Sequence, residues 1–82
     1  MRSKGKPDEA AALARAVRAR RKALGVTQID LARLAGCGPV FIYDLEGAKR
    51  TLRLDKVLDV LGVLGLELVL REGKRRLRVE LP

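Results

Sequence analysis

The chain has 82 residues, enough for one small domain with a modest core. Apolar residues make up 48% and charged residues 34%, which excludes a disordered chain and gives a well-solvated surface. Eighteen Lys and Arg against ten Asp and Glu give a net charge of +8, which points to an anionic partner, nucleic acid first; a basic surface with no such partner is the plain alternative.

The single cysteine, Cys37, allows no disulfide framework and suits a reducing compartment. The opening MRSKGKP lacks the apolar core of a signal peptide. No window reaches the roughly 18 uncharged apolar residues of a membrane span. A cytoplasmic protein with no membrane partner is expected.

Residues 1–7 read as a disordered basic tail. Asp8 is placed to cap a first helix over residues 9–24, with Glu9 favourable in its first turn. Leu13, Ala16, Val17 and Leu24 share one face, and Gly25 suits the helix end. Thr27 is the next N-cap, with Asp30 three residues on, ahead of a helix over residues 28–35. Leu31, Ala32 and Ala35 give it a face that permits close approach, and Gly36 breaks it. Gly38 as N-cap and Pro39 at the first helical position open a third helix, ending at residue 45 or 46, with Ile42 and Leu45 inward. Gly47 closes it, and Ala48 to Arg50 form a short loop. A fourth helix begins at residues 52–54, with a stripe of Leu54, Val57, Leu58, Leu61 and Leu64, and ends at Gly65.

The period then changes from helical to two. Leu66, Leu68 and Leu70 alternate with Glu67, Val69 and Arg71, and Leu77, Val79 and Leu81 alternate with Arg76, Arg78 and Glu80. Gly73 between them suits a hairpin loop. A lone two-stranded hairpin is marginal, so residues 66–82 are expected to pair with a second copy of the chain or to fold back on the fourth helix.

The stretch TQIDLARLAGCGPVFIYDLEGAK, with LGVTQ ahead of it, resembles the lambda-repressor-like (Cro/C1, or XRE) helix-turn-helix family. The resemblance spans residues 14–66. ARAVRARRKALGVTQ, FIYDLEGAK and TLRLDKVLDVLGVLGL are similar to its HipB-type antitoxin branch. It implies a mainly α fold: a four- to five-helix DNA-binding domain over residues 8–65 with a short C-terminal β-strand or hairpin pairing across a homodimer. It also implies an autorepressor of double-stranded DNA that binds a HipA-like kinase toxin. The tail here is longer than the family's single strand.

In this motif the second helix of the pair enters the major groove and the first crosses the backbone. Thr27 and Gln28 stand where a helix start can hold a phosphate, and by resemblance Gln28 is a backbone or base-edge contact; an ordinary polar first turn is the other reading. Gly38, Pro39, Val40, Tyr43 and Asp44 fall at groove-facing positions. Pro39 and Val40 make no hydrogen bonds to base edges, but Val40 can pack on a thymine methyl, and Asp44 can accept from a cytosine amino group. Tyr43 can reach a base edge or a phosphate. Against this, Val40 can staple the helix start, Tyr43 can pack on a neighbouring helix, and Asp44 can balance local charge. Lys49 and Arg50 are assigned to phosphates. Arg21 is placed to reach Glu46, as a surface pair of about 0–1 kcal/mol. Cys37 and Phe41 read as core; the tail cluster Lys74, Arg75, Arg76 and Arg78 can touch DNA phosphates or an acidic partner surface, with protection of a strand edge the plainest reading.

No histidine is present, Cys37 has no foreseeable base partner, and no phosphate-cradling glycine motif occurs. Asp55 and Asp59 read as a solvated face. No catalysis, cofactor or metal is expected. The alternatives are a helix-turn-helix kept as a protein-interaction module with only non-specific DNA affinity, and an RNA-binding module, which 2% aromatic content disfavours.

Overall fold

A computed structural model describes residues 8–74 and 77–80. Four helices follow in order: α1 (Glu9–Ala23), α2 (Gln28–Ala35), α3 (Pro39–Glu46) and α4 (Leu54–Val63). The expected basic tail, residues 1–7, lies outside the described residues.

Local chemistry sets the helix boundaries. The Asp8 carboxylate accepts from the Ala11 amide at 3.0 Å, and the Thr27 hydroxyl accepts from the Asp30 amide at 3.0 Å. Each bond satisfies an amide that a helix start leaves orphaned. Gly38 caps α3 with its backbone alone, and Pro39, lacking an N–H, opens it at no cost in hydrogen bonds.

Three helices end in the same way, with a glycine at φ near +71° (Gly25, Gly36, Gly65) and the following amide returned to the last turn. The returned amides are Val26 to the Arg21 carbonyl, Cys37 to Ala32 and Leu66 to Leu61. α3 ends with the same bond, Lys49 to Asp44 at 2.9 Å, but its left-handed residue is Ala48 at φ +63°. Gly47, just before, is needed for room: a Cβ there would lie 2.9 Å from the Tyr43 carbonyl oxygen.

The core forms where the four helices meet. Val17, Leu31, Ile42, Leu45, Val60 and Leu64 are almost wholly buried. α2 packs on both α3 and α4, and α1 on α3. Phe41 and Cys37 are half-buried against this cluster, as their reading as core requires. Burial pushes the Cys37 thiol up from its ordinary pKa, so the thiol form prevails at neutral pH.

Three expectations need correction. The stripe on α4 is Val57, Val60, Leu61 and Leu64, while Leu54 and Leu58 are exposed. Both sets run at threes and fours, and the approach of α2 decides between them. Leu24 is exposed too, because it caps α1 at the start of the turn. The third concerns the tail: among the described residues 66–80 there is no strand. The guanidinium of Arg71 meets the Glu80 carboxylate at 2.8 Å, so the two arms come side by side without a hydrogen-bonded ladder. Two short arms of one chain gain too little from pairing alone. They fold back instead, lining an open recess of about 690 Å3 with Leu13, Ala16 and Leu61.

Candidate nucleic-acid interface

The interface begins at the α2–α3 corner. Leu31, Ala32, Ile42 and Leu45 fix the pair from inside. The opposite side of α3 is left open, with Val40 66% and Tyr43 47% exposed. Gly38 and Pro39, at the start of α3, are also exposed. These four form the accessible side of the helix, which holds apolar surface, one phenol and few donors.

Beneath this side lies a polar strut. Arg21 grips Glu46 with two parallel bonds, Nε to Oε2 at 2.6 Å and Nη2 to Oε1 at 3.0 Å. Its third nitrogen donates to the Val26 carbonyl at 2.9 Å. The two side chains are only 10% and 3% exposed, so the pair expected at the surface is buried. The hydrogen bond to Glu46 raises the Arg21 pKa above its ordinary value, against the opposing effect of burial. A bidentate pair with its remaining donor satisfied is the arrangement in which a buried charge is tolerated. The strut joins α1 to the end of α3 and so sets the angle of α3.

Gln28 belongs to the same strut. Its amide nitrogen donates to Glu46 Oε1 at 3.1 Å, and the side chain is half-buried. The fold thus brings Gln28 to Glu46 rather than to the open side of α3. Thr27 is exposed, with its hydroxyl engaged as the α2 cap.

Lys49 and Arg50 are exposed in the loop after α3, and each holds a carboxylate. The Lys49 ammonium lies 3.5 Å from Asp44, and the Arg50 guanidinium 3.8 Å from Asp8. Asp44 therefore faces the loop. Exposed pairs of this kind contribute little and exchange easily. Sequence reasoning missed the bond of Arg20 Nε to the Leu64 carbonyl at 2.8 Å, the place of Gln28 in the strut, and the Asp8–Arg50 contact. All three join residues far apart in the chain, and no local pattern signals them.

Known proteins resemble this chain in sequence and fold. A family model described as a helix-turn-helix domain matches residues 12–73. An uncharacterized HTH-type transcriptional regulator of Sinorhizobium fredii, y4mF, is 44% identical over 71 residues, covering 85% of this chain and 90% of the relative. The clp gene regulator ClgR from C. glutamicum superimposes with a TM-score of 0.69 at 26% identity, over 80% of this chain and 85% of that one. A chain of a HipA-HipB-O2-O3 complex does so with a TM-score of 0.72 at 28% identity, over 79% and 92%. Among the described residues no helix is long and apolar enough to cross a membrane.

Proposed function

We propose a function from one premise: the chain belongs to the helix-turn-helix family of transcriptional regulators. It acts in the cytoplasm as a sequence-specific DNA-binding repressor. A homodimer holds a palindromic operator whose half-sites lie about one helical turn apart on one face of the duplex. It is the antitoxin of a pair with a HipA-like kinase toxin, a reading supported by its likeness to a chain of the HipA-HipB-O2-O3 complex.

The observation that carries the reading is the open side of α3. Val40 and Tyr43 are exposed there, while Ile42 and Leu45 hold the other side in the core. Val40 packs on a thymine methyl, and Tyr43 donates to a base edge or a phosphate. Gly38 and Pro39 let the backbone approach closely. Thr27 and Gln28 place the α2 N-terminus against a phosphate, which favours its unpaired amides. Gln28 Nε2 has two hydrogens, and only one is used by Glu46. Lys49 and Arg50 exchange Asp44 and Asp8 for phosphates, and the freed Asp44 accepts from a cytosine amino group. With so few donors on α3, DNA shape and half-site spacing share in specificity.

In this reading residues 8–65 are the DNA-binding unit and residues 66–82 the dimerisation segment. Leu68, Val69 and Leu70 are exposed, Leu70 at 91%, and a second copy would cover them and supply the missing strand partner. A second reading, a protein-interaction module with only non-specific DNA affinity, is favoured by the same exposed Val40.

Two substitutions separate these readings. Tyr43→Ala is expected to change which duplexes a random pool yields. Lys49→Ala should weaken binding to all duplexes and lower the salt slope by about 1. If selection from the pool returns no preferred sequence for the unaltered protein, the interaction module is the better reading.

A further inference from the structure

The reading unit is electrically neutral. Residues 26–65 hold five acidic and five basic side chains. Arg33, Lys49, Arg50 and Arg53 each have a carboxylate within 4.0 Å. Residues 1–25 hold eight basic and two acidic side chains, so six of the eight surplus positive charges lie there. Sequence-independent attraction to a duplex comes from Lys and Arg that neutralise phosphates. Beyond Lys49 and Arg50, α2 to α4 supply little net charge for it.

α1 is well supplied. Two of its cations are spent inside the fold, Arg20 on the Leu64 carbonyl and Arg21 on Glu46. Arg15, Arg18 and Lys22 are exposed, and no ion pair or hydrogen bond engages them among the described residues. Spacings of three and four put them in one row along the helix, roughly 100° around it from buried Ala14, Val17 and Arg21. The stripe is about 10 Å long. α1 packs on α3 through its buried residues. The stripe flanks that packed face and is separate from the open side of the recognition helix, which carries Val40 and Tyr43.

We propose that the exposed basic row of α1, Arg15, Arg18 and Lys22, is a second duplex-binding surface that takes the phosphate backbone regardless of sequence. The proposal rests on the DNA-binding reading above. It divides the work: α3 reads an operator from a neutral unit, and α1 holds non-specific duplex during search or bridges a second segment. A neutral reading unit gains in discrimination, because wrong sequences do not hold it by charge alone.

The test is a salt titration of the full chain against a short random-sequence duplex. The triple variant Arg15→Gln, Arg18→Gln, Lys22→Gln keeps good helix formers at exposed positions, and circular dichroism confirms its helix content. The slope of log affinity against log salt should fall by about 2 to 3, with at least a tenfold loss at low salt. The charge-preserving Arg15→Lys, Arg18→Lys variant should retain the slope. An unchanged slope in the triple variant overturns the proposal and leaves the stripe to an acidic protein surface. An equal loss in the Lys variant also overturns it, since charge would not be the cause. Loss of the slope in the triple variant, together with no sequence preference in the unaltered protein, keeps the stripe and removes the repressor reading.

Discussion

The helices of residues 9–65 each bury an apolar stripe in a shared core, whereas the segment that follows leaves Leu68, Val69 and Leu70 exposed. Both regions are rich in Leu and Val at regular spacing. Val17, Leu31, Ile42 and Val60 are out of contact with solvent, yet Leu70 is 91% exposed. The difference lies in where each kind of element finds its hydrogen bonds. A helix satisfies its backbone within its own segment and needs neighbours only for its apolar stripe. A strand needs another strand for its backbone as well as cover for its face. The helices therefore close inside one chain, whereas the described part of the tail forms no ladder and leaves Leu68, Val69 and Leu70 exposed.

The sharpest way to break the helical body is to remove the acid of its strut. Glu46→Ala leaves the buried Arg21 charge without its partner, a change that typically costs about 3–5 kcal/mol. Urea unfolding followed by circular dichroism reads this loss. A cost below about 1 kcal/mol would mean the pair is solvated like a surface bridge.

The tail should respond differently. Deleting residues 72–82 is expected to leave the helical signal of α1 to α4 in place and to weaken the dimer at least about tenfold, or 1.4 kcal/mol. Sedimentation across a concentration series measures it, and an unchanged profile would place the dimer interface elsewhere.

A smaller effect refines the account of the helix ends. Ala48 at φ +63° occupies the place that Gly25, Gly36 and Gly65 hold elsewhere. Ala48→Gly relieves a left-handed alanine but adds freedom to the unfolded chain, for a net gain of about 0.5–1 kcal/mol. A fall in the midpoint of unfolding would show that Ala48 contributes packing worth more than its strain.

The same contrast explains what was legible in the sequence. The caps at Asp8 and Thr27, Pro39 at the head of α3 and the glycine ends were readable, because a cap is an agreement among residues a few places apart. Ile42 and Leu45 were readable as core for the same reason. Val60 was not, since Leu54 and Leu58 offer an equally regular stripe and only the approach of α2 chooses. The Arg21–Glu46 partnership was readable, but its burial and its hold on Gln28 depend on the meeting of α1, α2 and α3. The alternation after Gly65 was plain, yet a period of two says only that a face exists and not what covers it. At the candidate interface, the exposed Val40 and Tyr43 lie where the motif puts groove-facing positions, whereas the carboxylates held by Lys49 and Arg50 came from chemistry the motif does not encode.

The most direct test of the central claim is a titration of the protein against the DNA upstream of its own coding sequence and against a scrambled duplex, at two salt concentrations. A sequence-specific repressor should prefer the upstream DNA by about a thousandfold or more, and the preference should survive the higher salt. Equal and steeply salt-dependent binding to both duplexes would contradict it, and α3 would then be a surface for a protein partner.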